Sequence, residues 1–385
     1  MRAILDDIDR WWTAGRRVAL ARVVGIEGSA PREPGAAMAV SEEGEVAGSV
    51  SGGCVETAVV ADALEVLATG RPRLATFGYS DDEAFAVGLT CGGTIRLFIE
   101  PLGPQGLERR ILVALRDHLS SQAPAALATV IETARPDGPS ARGGPRTASG
   151  TTMLVRPDGP ALGSLGAPGL DLAVQRDALG QIDAGTTAVR RYGPAGEATQ
   201  QDLAVFIEAF APPPRMLIFG AVDFAAALAT VAKVLGYRVT VCDARPVFAT
   251  PSRFPMADEV VVDWPDRHLA KVGGTLGGRD AVCVLTHDPK FDVPAIVAAL
   301  GTRAGYIGAM GSRRTAAERE NRLRDAGVDD DEMSRIMAPI GLDIGARTPE
   351  ETAIAICAEI ITLRSTGHTG SPLRATDGPI HHAGS

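Results

Sequence analysis

Cysteine, lysine and long apolar runs are scarce in this 385-residue sequence. Its five cysteines are an odd number in a large chain, which argues against a framework of disulfides. No run approaches the ~20 apolar residues that a membrane span needs. The N-terminal segment is acidic and amphipathic, unlike a signal peptide. We therefore expect a cytoplasmic protein without a membrane span.

The charge balance excludes one class of partner. The formal net charge is −9, so we expect no nonspecific binding to nucleic acid. An anionic ligand would have to be met by local arginine clusters, because the only lysines are Lys233, Lys271 and Lys290. The length and an ordinary apolar fraction of 45% predict a globular protein of two or three domains.

Two short segments, Gly48–Glu56 and Gly88–Gly93, each place a cysteine against a pair of glycines. Glycine permits positive φ and close backbone approach to a ligand, and such loops offer N–H groups to an anion. A thiol adds metal or sulfur chemistry. We interpret the segments as a small-molecule site around Cys54 and Cys91; two buried cysteines beside tight turns are the alternative. The glycines of this predicted site are Gly52, Gly53, Gly92 and Gly93.

The first half of the sequence contains an internal repeat. Met38-Ala39-Val40 aligns with Met153-Leu154-Val155 at an offset of 115 residues. We infer two copies of one α/β unit, at 17–102 and 125–211. In this alignment Gly169 replaces Cys54, and the second copy lacks the stretch that carries the other cysteine. Because the fold unit does not need either thiol, the difference favours a functional role for both.

The run Pro212-Pro213-Pro214 marks a predicted domain boundary. We expect the duplicated α/β domain over 1–211, a second domain over 215–365 and a loose tail over 366–385. After the prolines, apolar strands alternate with amphipathic helices. That pattern predicts a doubly wound parallel sheet of the Rossmann-like type.

The first turn of the second domain departs from a dinucleotide-binding motif. It reads Gly220-Ala221-Val222-Asp223, whereas the motif has a glycine at the third position so that the backbone approaches the pyrophosphate. Asp243 follows at the spacing expected for a carboxylate that binds a ribose hydroxyl. The alternation of strands and helices indicates a Rossmann-like fold, but the side chain of Val222 makes NAD(P) an unfavourable ligand.

Other polar residues follow strands or precede helices of the second domain, where such sheets bind ligands. These candidates are His287, Asp288, Gly311, Ser312, Arg313, Arg314, Asp343 and Arg347. The Gly311–Arg314 run suits an anion at a helix N-terminus, and a solvated helix start is the alternative. His287 and Asp288 form either a ligand contact or a capping turn. The Thr348–Glu351 run is a predicted capping box, which leaves the preceding Asp343 and Arg347 without a structural explanation.

Three further candidates lie in the first domain. Ser29 and Arg32 belong to a loop rich in proline and glycine, and they could hold a phosphate there; a plain turn is the alternative. Glu56 follows Cys54 by two residues at a helix start, where the helix dipole favours a carboxylate in any case.

In combination these motifs resemble the XdhC/CoxI family, the accessory proteins of xanthine dehydrogenase and related molybdenum hydroxylases. The segments that carry the resemblance are Gly28–Arg32, Gly48–Glu56, Gly88–Gly93, Pro212–Gly220, Tyr306–Arg314 and Ala338–Glu351. Members are described as binding molybdenum cofactor, supporting exchange of an oxo for a sulfido ligand on the metal, and delivering the cofactor to the apoenzyme. The departure is at Val222 and Asp223, where family members usually read Gly-His.

The resemblance implies an accessory factor rather than an independent enzyme. Its implied cargo is molybdenum cofactor, as molybdopterin or its cytosine dinucleotide form. Implied partners are an apo molybdenum hydroxylase, a cysteine desulfurase and a second copy of the chain in a homodimer. Cys54 and Cys91 match the family's cysteines and would face the metal, because a thiolate is a soft ligand. The adjacent glycines would cradle the cofactor in a cleft between domains, and Arg313 and Arg314 would meet a phosphate.

Three other interpretations stay open. A xanthine dehydrogenase itself is disfavoured, because two [2Fe–2S] clusters need eight cysteine ligands and the chain has five cysteines. An NAD(P)-dependent oxidoreductase built on the second domain would bind a nucleotide despite Val222. A scaffold that recruits a desulfurase without holding cofactor would activate its target equally well without Cys54.

Overall fold

The structure, a computed structural model, describes residues 1–28, 31–78, 93–103, 106–133, 147–364 and 370–371. The chain forms two compact units, of which the first covers Met1–Pro212 and the second begins at Pro213. In the described ranges, no helix has both the length and the apolarity needed to cross a lipid bilayer.

The first unit contains two sets of helices and strands that follow the same order along the chain. After α1 (Leu5–Thr13), the first set comprises β1 (Val18–Glu27), β2 (Ala37–Ser41), β3 (Val46–Gly48), α2 (Glu56–Thr69), β4 (Arg73–Phe77) and β5 (Thr94–Pro101). After α3 (Arg109–Ser120), the second comprises β6 (Ala125–Thr133), β7 (Thr152–Val155), β8 (Leu162–Gly163), α4 (Pro168–Ala184), β9 (Ala188–Tyr192) and β10 (Leu203–Phe210).

The two sets form antiparallel five-stranded sheets with equivalent strand orders, β3-β2-β1-β5-β4 and β8-β7-β6-β10-β9. The register is equivalent as well. Leu20 lies opposite Glu100, and its counterpart Leu127 lies opposite Glu208. The predicted duplicated α/β fold is confirmed.

Each sheet has a helix, α2 or α4, on one face, and the second faces of the two sheets share apolar clusters that also include α1 and α3. Because side chains alternate along a strand, Ala19 and Val23 of β1 pack with α2. Val24 points the other way and joins Phe98 and Phe206 in a buried cluster shared by both sheets. Both faces of β1 are therefore buried, and its sequence is apolar almost throughout instead of alternating.

The second unit contains six strands and six helices within the described residues. The strands are β11 (Arg215–Phe219), β12 (Arg238–Asp243), β13 (Glu259–Val262), β14 (Ala281–Val284), β15 (Tyr306–Ala309) and β16 (Ile336–Met337). The helices are α5 (Asp223–Val234), α6 (Pro265–Val272), α7 (Pro289–Leu300), α8 (Arg313–Asp325), α9 (Asp330–Ser334) and α10 (Pro349–Arg364).

These strands form one parallel sheet of order β13-β12-β11-β14-β15-β16. Helices α5 and α10 cover one face through residues such as Leu228 and Ile356. Helices α6, α7 and α8 cover the other face through Leu269, Ile296 and Leu323. The predicted doubly wound Rossmann-like fold is confirmed. The order reverses between β11 and β14, and ligands of such folds bind beside the carboxyl ends of the strands there.

Candidate functional site

The Cys54 loop, residues 49–55, connects β3 to α2 and is held together by the carboxylate of Glu56. This carboxylate accepts hydrogen bonds from the hydroxyl groups of Ser49 at 2.7 Å and Ser51 at 2.5 Å. Its other donors are the backbone N–H groups of Ser51, Gly53 and Val55, at 3.0, 2.9 and 3.2 Å. One side chain at the start of α2 therefore organises the whole turn.

These hydrogen bonds determine the charge of Glu56. Burial alone would raise its pKa, but the bonds from Ser51, Ser49 and backbone N–H groups outweigh burial and lower the pKa to about 2. The carboxylate is therefore ionised at neutral pH. It lies in the first turn of α2, where the positive end of the helix dipole favours a negative charge.

The N–H groups that we expected to meet an anion are used inside the loop. Gly52 donates to the Ser49 hydroxyl at 2.9 Å, and Gly53 donates to Glu56. Cys54 donates its N–H to the Ser51 hydroxyl at 3.0 Å. A ligand would therefore have to compete with the serine and glutamate oxygens for these donors. Ligand contact by the two glycines stays a prediction.

Among the described residues, Gly52 and Gly53 have open space in the direction that a side chain would take. Their φ angles of +78° and +120° lie in the left-handed region that favours glycine. A Cβ added to either would meet no heavy atom of the described residues within 4 Å. Cys54 is half-buried and packs against the apolar cluster beneath α2. The loop thus presents a soft thiol together with room for a bulky group to approach.

The second copy repeats the carboxylate of this loop. Asp171 accepts the Ser164 hydroxyl at 2.7 Å and the Leu165 N–H at 2.7 Å, as Glu56 accepts its own serine and backbone donors. Asp171 aligns with Glu56 at the same 115-residue offset as the rest of the repeat. A carboxylate at this position is therefore part of the frame of both copies.

The thiol is not repeated in the second copy. Gly169, the counterpart of Cys54, lies so close to the carbonyl oxygen of Ala195 that no side chain fits there. Ala195 belongs to the connection between β9 and β10. In the second copy, this connection thus closes over the position that Cys54 occupies in the first.

Three predicted site residues, Ser29, Cys91 and Gly92, lie outside the described residues. Gly93 is buried immediately before β5, and Arg32 is exposed. Phe77, the last residue of β4, packs in the same apolar cluster as Cys54. The connection from β4 to β5 therefore starts at the cluster against which this thiol packs.

In the second unit, Asp243 is engaged by its own protein. Its two oxygens accept hydrogen bonds from Nε and Nη2 of Arg245 at 2.9 and 2.8 Å, and one accepts the Ala221 N–H at 2.8 Å. Burial would raise its pKa, but these hydrogen bonds outweigh burial and lower the pKa. Gly220 packs equally tightly, since a Cβ there would lie 2.9 Å from Thr286 Cγ2. A ribose hydroxyl would therefore have to displace Arg245 from Asp243.

His287 and Asp288 follow β14 at the carboxyl edge of the sheet. Asp288 caps α7 by accepting the Lys290 N–H at 3.1 Å, and it forms an ion pair with Lys290 Nζ at 3.0 Å. Capping therefore accounts for the contacts of Asp288. His287 is exposed at the same edge, and its role as a ligand contact stays a prediction.

The Gly311–Arg314 run leads into α8 and brings two predicted residues together. Ser312 caps the helix by accepting the Thr315 N–H at 3.1 Å. Arg313 lies 3.6 Å from Asp343, which belongs to the loop before α10, and the side chains of both are exposed. Arg314 is exposed as well. Two guanidinium groups are thus displayed at a helix N-terminus, where an anion is favoured.

The predicted capping box before α10 is confirmed. Glu351 donates its N–H to the Thr348 hydroxyl at 3.2 Å, and its carboxylate accepts the Thr348 N–H at 3.1 Å. The same carboxylate accepts the Arg347 N–H at 2.7 Å. The Arg347 side chain is exposed, and its contact with a ligand stays a prediction.

Sequence reasoning missed a buried polar chain in the second unit. Arg319 donates to Asp292 at 3.0 Å and to the carbonyl oxygen of Met310 at 2.7 Å. The Thr286 hydroxyl donates to the other oxygen of Asp292. These residues come from separate elements, so no local sequence pattern signals their meeting.

Within the ranges that the structure describes, no group of three or more His, Cys, Asp or Glu side chains is arranged to hold a metal ion. Cys54 supplies one soft ligand. Such a thiol suits a metal that another molecule already coordinates, rather than a free ion that needs a full protein ligand set.

Family comparisons cover both units. The XdhC Rossmann domain matches residues 216–360, and the XdhC and CoxI family matches residues 11–78 and 118–193. The two segments of the second match fall one in each copy of the repeat.

Individual relatives are also similar over most of their length. The chain is 30% identical over 350 residues to a probable xanthine dehydrogenase subunit from Bacillus subtilis, covering 90% of this chain and 92% of the relative. It is 27% identical over 351 residues to the molybdenum cofactor insertion chaperone PaoD of Escherichia coli, covering 91% and 85%. The crystal structure of a xanthine dehydrogenase from Bacillus halodurans superimposes with a TM-score of 0.62 at 26% identity, covering 96% and 98%.

Proposed function

The chain belongs to the XdhC and CoxI family, and from that premise we propose that it is an accessory protein for a molybdenum hydroxylase of the xanthine dehydrogenase type. In this proposal the protein binds molybdenum cofactor as cargo and delivers it to the apoenzyme. The name of the Escherichia coli relative, a molybdenum cofactor insertion chaperone, supports this interpretation.

The observation that carries the proposal is the Cys54 loop. The backbone N–H groups from Ser51 to Val55 are satisfied internally by Ser49, Ser51 and Glu56, so the half-buried thiol is the group that we propose meets the ligand. A thiolate is a soft ligand suited to a dithiolene-bound metal. Open space at Gly52 and Gly53 provides room for the pterin that carries the metal.

We propose that Cys91 approaches the same cargo from the β4–β5 connection. The second copy supports this placement, because its equivalent β9–β10 connection closes over Gly169, the counterpart of Cys54. The first copy has a longer connection at this point, with 16 residues between Phe77 and Thr94 against 10 between Tyr192 and Leu203. The extra residues include the second cysteine.

In the second unit, we propose that Arg313 and Arg314 meet a phosphate of the cofactor. Both side chains are exposed at the N-terminus of α8, and a guanidinium group suits a phosphate. A redox role for NAD(P) is weakly supported, because Arg245 and the Ala221 N–H already occupy the carboxylate of Asp243.

Several finer statements belong to the same proposal. The protein would support exchange of an oxo for a sulfido ligand on molybdenum, with sulfur supplied by a partner cysteine desulfurase. It would act in the cytoplasm as a homodimer. Pull-down with a desulfurase and sedimentation velocity of the purified chain test the two associations separately.

The main test is anaerobic binding of molybdenum cofactor to the wild-type chain and to Cys54→Ala. Metal and pterin are quantified separately after desalting. We expect the wild type to retain both, and Cys54→Ala to retain at least tenfold less metal, since it loses the soft ligand. Cys242→Ala is the matched control, because it removes a thiol that is buried in the second unit.

Thermal unfolding of each variant shows whether it is folded. A wild-type chain that retains no cofactor would overturn the proposal and turn attention to a nucleotide titration of the second unit. Undiminished target activation by a folded Cys54→Ala chain would favour a scaffold that holds no cargo.

A further inference from the structure

A cleft of about 480 Å³ lies in the second unit, beside α8, α9 and the edge strand β16. Its volume is in the range of sites that bind small organic molecules. Its lining includes Arg313, Ala317, Arg319, Leu323, Met333 and Ile336. Among the described residues no cysteine lines it.

The cleft contains a buried guanidinium group with spare hydrogen-bonding capacity. The Arg319 side chain is only 3% exposed, and its Nη2 is held by Asp292 and by the carbonyl oxygen of Met310. Its Nη1 has no hydrogen-bond partner among the described residues. A buried donor left unsatisfied costs about 1–3 kcal/mol, so an acceptor that entered from the cleft and reached Nη1 by a small displacement of the side chain would be stabilised there.

This guanidinium group lies close to the first turn of α8. A Cβ added to Gly311 would be 3.6 Å from Arg319 Nη2, because helical side chains point back toward the N-terminus of their helix. Arg313 lines the same end of the cleft. Two guanidinium groups and the positive end of a 13-residue helix therefore share one end of the cleft.

The rest of the cleft has a different character. Leu323, Met333 and Ile336 supply an apolar wall. The acidic residues Glu320 and Asp330 are both paired with Arg324, at 2.5 and 3.6 Å. Arg324 thus neutralises the acidic side chains of the cleft, while Asp343 and Asp292 lie beside Arg313 and Arg319. The cleft offers guanidinium donors where α8 begins and an apolar wall along the helix.

We propose that this cleft binds a small organic anion, with a phosphate or carboxylate at Arg313 and Arg319 and an apolar or aromatic body along α8. The chemistry fits either a phosphate-bearing part of the cargo or a separate metabolite. The inference shares Arg313 with the phosphate contact of the proposed function, but it uses no cysteine and does not depend on the proposed role of Cys54.

The test uses the full chain purified without cofactor, with phenyl phosphate and benzoate as probes and benzyl alcohol as the uncharged control. Binding is followed by ligand-detected NMR titration. We expect saturable binding of at least one anion at one site per chain, and at least tenfold weaker binding of benzyl alcohol. Arg313→Ala and Ala317→Trp should each weaken anion binding at least tenfold.

Two features of the variants keep the test decisive. Ala317 is exposed, so a tryptophan there fills the cleft without touching the buried Arg319–Asp292 pair. Arg322→Ala is the matched control, since it removes a charge from the same helix outside the cleft and should leave binding unchanged.

Absence of anion binding, or binding that Ala317→Trp does not weaken, would overturn the proposal. If it is upheld, competition by isolated molybdenum cofactor in a Cys54→Ala background would identify the cargo as the source of the anion. Undisturbed probe binding would indicate a separate metabolite. Because these arms do not use the thiol, they fail independently of the metal retention that tests Cys54.

Discussion

In the first copy of the repeat, Cys54 follows two glycines at which no described residue would meet a side chain; in the second copy, the equivalent Gly169 lies against the carbonyl oxygen of Ala195. The frame around these two positions is otherwise alike. Strand order, register and the carboxylate that holds the loop are shared. The comparison teaches that the fold of the unit is maintained without a cysteine at this position, so Cys54 is available for a functional role.

A second difference between the copies lies where the two sheets meet. Arg22 of β1 is fully buried and contacts Glu100 at 2.5 Å and the Thr129 hydroxyl at 2.8 Å. It also lies 3.5 Å from Glu208. Thr129 is the residue that aligns with Arg22, and Glu208 aligns with Glu100. One arginine therefore serves two equivalent carboxylates.

Arg22→Thr, which gives the first copy the residue of the second, should have the largest effect on stability. It leaves two buried carboxylates without their shared cation, and removal of one partner of a buried pair costs about 3–5 kcal/mol. Denaturant unfolding measures the loss. A loss below about 1 kcal/mol would mean that the arginine is dispensable to the contact between the copies.

The pH dependence of the same site follows from the burial of Glu100. Burial raises the pKa of Glu100 from 4.5 to about 6, although Arg22 opposes the shift. Glu100 holds its proton more tightly in the folded chain than in the unfolded chain. Its contribution to stability is therefore complete below pH 4.5 and is lost as pH rises through 6. Arg22→Thr removes the charge that opposes this shift. The stability of the variant should therefore fall more steeply than that of the wild type between pH 4.5 and 6, and it should continue to fall above pH 6.

Gly48→Ala and Gly163→Ala test the shared frame and should have equal, intermediate effects. The two glycines end β3 and β8 with φ angles of +81° and +94°. A Cβ on either would collide with a carbonyl oxygen of the neighbouring strand, that of Ala37 or of Thr152. We expect a loss of about 1–3 kcal/mol for each, measured by denaturant unfolding. Gly70→Ala, with positive φ and open space, is the control for the φ cost alone.

Glu56→Gln and Asp171→Asn should have the smallest effects, and the effect of Glu56→Gln should be the larger. Glu56 accepts hydrogen bonds from both serine hydroxyls and from three N–H groups, against one hydroxyl and one N–H group for Asp171. We expect losses of about 1–2 and 0.5–1 kcal/mol in denaturant unfolding. Equal losses would contradict the view that the first loop is the more tightly organised.

Glu56 also gives this comparison a pH signature. Its pKa in the folded chain is about 2, below the ordinary value of 4.5. Its contribution to stability is therefore complete above pH 4.5 and is lost as pH falls toward 2. The difference in stability between wild type and Glu56→Gln should shrink across that window in acid unfolding experiments.

The repeat explains why much of the fold could be predicted from the sequence. Two aligned α/β patterns and a run of parallel-type strands predicted the sheets, because apolar periodicity and glycine turns are local properties. The loop network was missed, although Ser49 and Glu56 align with Ser164 and Asp171 at one offset. The signal that could have revealed this network is a serine and an acidic residue that occur at equivalent positions in both copies.

Contacts between distant segments could not be predicted in the same way. Arg22 meets Glu208 across 186 positions of sequence, and Arg319 meets Asp292 from another helix. No periodicity or spacing encodes such pairs. The prediction that glycine N–H groups meet a ligand likewise counted the donors but not the side-chain oxygens that compete for them.

The N–H groups from Ser51 to Val55 already have acceptors within the loop and on Glu56, so the loop would gain no hydrogen bonds from them by closing on a ligand. If the protein carries a cofactor as proposed, this would lower the cost of release. Departure of the cargo would leave none of these N–H groups without an acceptor, and the loop would need no refolding before the next load. Residence time would then depend on the bond at sulfur, which a receiving enzyme or a competing thiol can exchange directly.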